Sequence, residues 1–166
     1  MVELLDIYDG NRVKTGRINR RGELLKPEDY HLISIVWIRN KAGLYLISRR
    51  SPEKQPWPNL WESTGGAALA GDNSLDAALR EVREELGIEL NPANGRLLYK
   101  HILPNIHRDV WLFNQEVNID NVIFQEGETC DAKWASEDEI LQMIFAEEFV
   151  PVAIEYIEQL FKDAKT

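Results

Sequence analysis

Cysteine is nearly absent from this chain, because Cys130 is the only one among 166 residues. A single cysteine cannot form an internal disulfide, and it cannot build a metal site from several thiolates. A disulfide-stapled fold and a thiolate zinc site are therefore excluded. Such sparse use of cysteine is typical of a reducing compartment, so we expect a cytoplasmic location.

Long apolar runs are missing as well. The longest apolar-rich stretch, residues 32–38, is far shorter than the ~20 residues that a membrane-spanning helix needs. Residues 1–10 carry Glu3, Asp6 and Asp9 and lack the basic start and apolar stretch of a signal peptide. We expect neither secretion nor a membrane partner.

Basic residues are outnumbered by acidic ones. Lys and Arg total 19 against 28 Asp and Glu, which gives a formal net charge of -9. A nucleic-acid scaffold is therefore not an expected partner, because such binding depends on neutralising the phosphate backbone. Small phosphorylated ligands are not excluded, since a divalent cation held by clustered carboxylates can supply the positive charge they need.

Strand and helix patterns are mixed along the chain. Its length suits one domain, taken here as residues 1–166. Runs rich in β-branched and aromatic residues predict strands over residues 4–8, in the polar stretch that follows to residue 22, and over 31–38, 44–48, 97–103, 109–117 and 131–135. Apolar periodicity predicts helices over residues 74–86, 137–145 and 150–162. The mixture is typical of an α/β or α+β sandwich.

Helix ends and one long loop are marked by particular residues. Ser74 is the expected N-cap of the first helix, and Gly87 lies just past its end. Ser136 and Glu139 predict a capping box at the second helix. Three prolines in residues 49–60 exclude a helix or a central strand there and predict a loop.

Three carboxylates share one stripe of the first helix. At 100° per residue, Glu81, Glu84 and Glu85 lie side by side next to an apolar face. Arg80 lies one turn before Glu84, where it can orient that carboxylate. A solvated acidic surface would show the same stripe. The glycines before this helix predict a loop over residues 65–72. That loop favours a site, because glycines let backbone carbonyls approach a metal or a phosphate closely.

The segment from Gly66 to Ile88, GAALAGDNSLDAALREVREELGI, resembles the Nudix box G-x5-E-x7-R-E-U-x-E-E-x-G-U, in which U is aliphatic. Asp72 stands where the box has Glu, which keeps the charge and shortens the reach. Trp134 and the acidic helix start after it resemble a feature common late in Nudix domains. The resemblance implies a Nudix-type α/β/α sandwich with a mixed β-sheet. It also implies an enzyme that hydrolyses a diphosphate linkage in a nucleoside diphosphate derivative.

The same resemblance implies roles for the box residues. Mg²⁺ or Mn²⁺ is expected to be bound by Glu81, Glu84 and Glu85, with the carbonyl of Gly66 as a further candidate ligand. Glu84 either ligates metal or accepts the proton of the attacking water. Glu84, Glu85 and Arg80 are thus the candidate catalytic residues.

A second resemblance covers residues 31–72, including SRRSPEKQPWPNLW at residues 48–61, which is similar to type 1 isopentenyl diphosphate isomerases. By that similarity Arg49, Arg50 and Lys54 are candidates for diphosphate contacts. Trp57, which lies between two prolines, is the aromatic residue expected to line a substrate pocket. The isomerase also needs a catalytic Cys and, two residues later, a metal-binding His, where this chain has Thr64 and Gly66. Isomerisation is therefore the weaker alternative.

A third alternative is a Nudix-like sensor that binds a nucleotide without turning it over. Such domains usually lose the box glutamates, which this chain retains. Outside the box, Asp109, Glu126 and Glu128 are candidates for an extra metal ligand or the general base. The group attached to the diphosphate and the oligomeric state, including a homodimer, are left open by the sequence.

Overall fold

The computed structural model describes residues 1–166. The strands are β1 (Leu4–Tyr8), β2 (Lys14–Arg20), β3 (His31–Arg39), β4 (Tyr45–Arg50), β5 (Trp61–Glu62), β6 (Thr64–Ala67), β7 (Gly95–Leu103), β8 (Ile106–Asn114) and β9 (Thr129–Ala135). The helices are α1 (Ser74–Leu86), α2 (Glu137–Phe145) and α3 (Ile154–Asp163). Two short 3-10 turns, Pro92–Asn94 and Ile119–Asn121, complete the elements.

A mixed sheet of seven strands lies at the centre of the fold. Its main path runs β5-β4-β3-β8-β7, with β6 paired to β3 and β9 paired to β4. Strands β3 and β8 are parallel, whereas every other pair is antiparallel. Strands β1 and β2 form a separate antiparallel hairpin. The predicted mixed sheet is confirmed.

Helices cover both faces of the central sheet. Because successive side chains of a strand point to opposite faces, the neighbours Val36 and Trp37 of β3 enter different cores. Val36 packs with Val82 and Leu86 of α1, while Trp37 packs with Ile157 and other residues of α2 and α3. The result is the expected α/β/α sandwich, with α1 alone on one face.

Three local predictions are wrong. The N-cap of α1 is Asn73 and not Ser74, since the Asn73 side chain accepts from the N–H of Asp76. Residues 150–153 lie outside α3, because Pro151 disfavours a helical residue before it and the Val150 N–H donates to the Trp61 carbonyl. Residues 65–66 lie in strand β6 and not in a loop.

The close approach of two strands explains why β6 contains glycine. A Cβ at Gly65 would overlap the carbonyl oxygen of Ser34 on the neighbouring strand β3. A loop prediction from glycine content missed this packing role, which depends on a strand that is distant in the sequence. None of the helices combines the length and the apolar character that crossing a membrane requires.

Candidate active site

Helix α1 holds its acidic stripe in a fixed rotation. Asn73 and Asp76 form a capping box at the first turn, and Gly87 closes the last turn in the left-handed conformation at φ 66°. The opposite side of the helix is pinned by Ala78 and Val82, which are fully buried against the sheet. This burial turns Glu81, Glu84 and Glu85 towards a cleft beside the sheet.

The cleft has a volume of about 340 Å³ and no hydrophobic residue lines it. The three α1 glutamates form one wall with Gly65 and Gly66 of β6. The proline-rich loop contributes Lys54, and the segment before β9 contributes Glu128. The ends of the N-terminal hairpin complete the rim with Glu3 and Arg21. A cavity of this character suits a polar, charged ligand.

Arg80 ties the box residues to one another. Its guanidinium donates to Asp72 Oδ2 at 3.0 Å, to Glu81 Oε1 at 2.9 Å and to Glu84 Oε2 at 3.2 Å. It also donates to the carbonyl of Ala67 at 2.9 Å. Burial alone would lower the Arg80 pKa, but the neighbouring carboxylates raise it. The expected contact between Arg80 and Glu84 is present, and the shorter Asp72 still reaches Arg80.

Lys54 lies among the carboxylates of the cleft. Its ammonium is 3.2 Å from Glu85 Oε1, 2.9 Å from Glu128 Oε2 and 3.8 Å from Glu62 Oε1. Burial would lower the pKa of this amine, but Glu85 and the other two acids raise it. Lys54 therefore supplies the positive charge that holds these acids together.

Glu85 is the most constrained acid of the stripe. It is 4% exposed, and its Oε2 atom has no hydrogen-bond partner. Burial raises the Glu85 pKa to about 7, with Glu62 and Glu81 adding to the rise and Lys54 opposing it. Burial also raises the pKa of Glu81. A nearby cation would stabilise the charged form of both carboxylates and so lower their pKa values.

The oxygen-rich wall fits a hard divalent cation. Carboxylate and carbonyl oxygens are the ligands that such ions prefer, and Glu85 Oε2 is buried without a partner. A Cβ at Gly66 would overlap the Glu81 carboxylate, so glycine is needed for that group to lie against the strand. No three acidic side chains converge on one point, and the α1 glutamates instead contact Arg80 and Lys54. Binding a cation would thus replace the ion pair between Lys54 and Glu85 by contacts between the metal and the carboxylate oxygens.

Other predicted site residues lie outside the cleft. Arg50 is buried and donates to Glu62 at 2.9 Å and to the carbonyl of Pro56. Arg49 donates to the carbonyl of Asn59, and Trp57 is 46% exposed. None of the three lines the cleft. Of the four residues expected to bind substrate, only Lys54 lines the cleft.

The acids outside the box also separate. Glu128 lines the cleft, whereas Asp109 and Glu126 do not. Asp109 is buried in a different cavity and pairs with Arg12. Sequence reasoning missed Arg21 and the half-buried Glu62. No local pattern marks either residue, since only the folding of the hairpin and of β5 brings them near α1.

Comparisons with known proteins identify the family and the fold. The family model described as the NUDIX domain matches residues 29–160. An uncharacterized Nudix hydrolase of Listeria monocytogenes is 35% identical over 168 residues, covering 99% of this chain and 98% of the relative. A crystal structure of a Deinococcus radiodurans protein has a TM-score of 0.75 at 24% identity, covering 95% of this chain and 98% of that one. It shares the fold.

The similarity to an isomerase is shorter. The isopentenyl-diphosphate Delta-isomerase of Escherichia coli is 33% identical over 87 residues, which is 52% of this chain and 48% of that enzyme. The NUDIX match spans most of the chain, and it includes β6 and the whole of α1. The chain belongs to the Nudix hydrolase family.

Proposed function

We propose that this protein is a divalent-metal-dependent hydrolase that cleaves a diphosphate linkage in a nucleoside diphosphate derivative. The observation that carries the proposal is Glu85, a buried carboxylate whose Oε2 atom has no partner, in a cleft without hydrophobic lining. A buried charge without full compensation destabilises the fold. A buried acid with a strongly raised pKa in a cleft marks a candidate functional site, and a cation would complete its coordination.

The ligand set follows from the same wall of the cleft. Glu81, Glu84 and Glu85 would hold Mg²⁺ or Mn²⁺, with the carbonyl of Gly66 as a further ligand. The bound ion would neutralise the diphosphate and lower the pKa of a bound water. Membership of the Nudix family supports the use of a divalent ion in general. That the ion is Mg²⁺ or Mn²⁺ is part of what we propose.

Side chains of the cleft would accept the proton, position the acids and bind the diphosphate. Glu84 has a side chain that is 44% exposed, so it is the acid best placed to accept a proton from the attacking water, as an alternative to ligating metal. Arg80 positions Glu84 and Glu81 through its hydrogen bonds. Lys54 would donate to the diphosphate once its carboxylate partners bind a cation. Substrate contacts by Arg49, Arg50 and Trp57 would need a rearrangement of residues 51–60.

The isomerase alternative has less support. That reaction needs a thiol in the site, and Thr64 stands at the corresponding position. The single cysteine, Cys130, is exposed on β9, where its Sγ lies 3.5 Å from the carbonyl of Arg50. It does not line the cleft.

The proposal is tested by product release from a panel of diphosphates. The panel contains ADP-ribose, NADH, dinucleoside polyphosphates, nucleoside triphosphates and CoA, each with Mg²⁺ or Mn²⁺, and isopentenyl diphosphate is assayed separately for isomerisation. We expect metal-dependent hydrolysis of at least one compound, which Glu84→Gln abolishes. The matched control is Glu89→Gln, which changes an exposed acid just beyond α1 and should leave turnover intact.

Each other outcome has a definite meaning. Tight binding of one compound without turnover would favour a nucleotide sensor. Isomerisation of isopentenyl diphosphate would favour the second alternative. Full activity of Glu84→Gln would contradict the role assigned to Glu84.

A further inference from the structure

We propose that Arg21, at the end of the N-terminal hairpin, is a diphosphate-binding residue of this active site. The inference rests on the proposed function and adds a positive group from outside the segment that matches the NUDIX domain, which begins at residue 29. Arg21 would take the place of Arg49 and Arg50, which were expected to contact the diphosphate but do not line the cleft.

The hairpin is fastened to the segment that leads into α1. The carbonyl of Leu4 accepts from the Ala70 N–H at 2.8 Å, and Asp6 Oδ2 accepts from the Gly71 N–H at 2.8 Å. Leu5 and Ile7 of β1 are buried. The Arg21 N–H donates to the carbonyl of Glu3 at 3.0 Å. The backbone at Arg21 is therefore held at the rim of the cleft.

The guanidinium of Arg21 has free hydrogen-bond donors. Its only side-chain contact is with Glu3 Oε2 at 2.6 Å, and the side chain is 60% exposed. Arg80, by contrast, is occupied by four protein acceptors, and Arg50 is occupied by Glu62 and the carbonyl of Pro56. A planar guanidinium can bind phosphate oxygens with two parallel hydrogen bonds. Arg21 is thus the arginine at the cleft that is able to do so.

The charge balance of the cleft supports the same conclusion. Two cations, Arg21 and Lys54, line it against six glutamates. Lys54 is within hydrogen-bond distance of Glu85 and Glu128, whereas Arg21 pairs only with Glu3, a half-buried acid at the rim. An anionic diphosphate entering this cleft would meet repulsion from the acids. The pKa of Arg21 is raised by its hydrogen bond to Glu3 and further by the charges of Glu81 and Glu128. Arg21 lines the same cleft as these acids and can offset the repulsion.

The test measures binding of inorganic pyrophosphate in the presence of Mg²⁺ by titration calorimetry. Arg21→Gln should weaken binding roughly tenfold, because hydrogen bonds between charged groups are the stronger class. With a hydrolysed substrate, the same variant should raise KM by a similar factor and change kcat less than about twofold. The matched control is Arg20→Gln, which removes a neighbouring exposed arginine that does not line the cleft and should leave both constants unchanged.

A second variant separates binding from hairpin structure. Glu3→Gln breaks the same ion pair, keeps the guanidinium and removes one acid from the rim, so pyrophosphate binding should be at least as tight as in the wild type. Equal losses in Glu3→Gln and Arg21→Gln would overturn the inference. So would wild-type binding in Arg21→Gln, with the proposed function intact. If the wild-type protein neither bound pyrophosphate nor hydrolysed any diphosphate, the proposed function itself would fail.

Discussion

Helices α1 and α2 begin alike but carry their acidic residues in different places. Each starts with a capping box, formed by Asn73 with Asp76 in α1 and by Ser136 with Glu139 in α2. The acids of α2 lie in its first turn, where the positive end of the helix dipole stabilises them. The α1 stripe lies in the later turns, where the dipole disfavours negative charge.

The surroundings of the acids also differ between the two helices. Glu137 of α2 is partly exposed and pairs with Lys165, an arrangement that needs no further partner. Glu85 of α1 is buried, and its pKa is raised to about 7, first by burial and then by neighbouring acids that Lys54 only partly offsets. Acidic content is therefore a poor marker of function. Burial of an incompletely compensated acid at an unfavourable helix position is a much better one.

The largest expected difference between the two helices is in catalysis. Glu85→Gln removes a proposed metal ligand and should lower kcat by about 100-fold or more, whereas Glu139→Gln keeps its capping role and should leave kcat unchanged. Steady-state kinetics on the substrate found in the panel measures both. Equal activity of the two variants would remove the functional distinction between the helices.

A smaller effect is expected from the strand that faces α1. Gly66→Ala adds a Cβ that would overlap the Glu81 carboxylate, so that carboxylate must move, and we expect kcat/KM to fall by about 10-fold or more. Gly10→Ala is the matched control, since a Cβ there meets only an ordinary contact with Tyr30 at 3.8 Å. An active Gly66→Ala protein would show that the position of Glu81 matters less than proposed.

The raised pKa of Glu85 predicts a pH-dependent stability. Its ordinary value is 4.5, and the folded value is about 7. The folded protein therefore holds this proton more tightly than the unfolded chain, and stability is lost as the pH rises between these two values. In metal-free protein, the melting temperature of wild type relative to Glu85→Gln should fall across this window, by on the order of a few degrees. If the melting temperature of the wild type instead rose relative to that of Glu85→Gln as the pH increased, Glu85 would not have a raised pKa in the folded protein.

The smallest effect concerns the caps, in which the two helices should behave alike. Asn73→Ala and Ser136→Ala each remove a side chain that accepts from a backbone N–H and should each reduce the free energy of unfolding by about 1 kcal/mol. Urea denaturation measures both values. If folded Asn73→Ala lost activity while Ser136→Ala kept it, the cap of α1 would have a role in the site beyond stability.

Much of the fold was predictable from local patterns. The bounds of α1 and β1 agree with the predicted ranges, and α2 ends at Phe145 as expected. In these elements, caps and periodicity agree with the tertiary packing. The errors fall where long-range contacts decide. Residues 149–150 are held by contacts with Trp61, and the glycines at 65 and 66 serve close packing rather than a turn.

The candidate site was predictable in one half only. The box placed Glu81, Glu84, Glu85 and Arg80 together because one helix holds all four, and helical spacing can be read from the sequence. The other half of the cleft comes from a loop, a hairpin and the segment before β9, which approach one another only in the folded chain. This is why Lys54 and Arg21 line the cleft while Arg49, Arg50 and Trp57 do not.

The sequence alone determined the family, the acidic helix and the kind of chemistry, because these depend on residue types at short, regular spacings. The tertiary structure alone decided which cations meet those acids, how deeply Glu85 is buried and where the N-terminal hairpin lies. Burial and the distances between charges depend on contacts between segments far apart in the chain. Those contacts set the pKa of Glu85 and leave Arg21 with Glu3 as its one side-chain hydrogen-bond partner at the cleft.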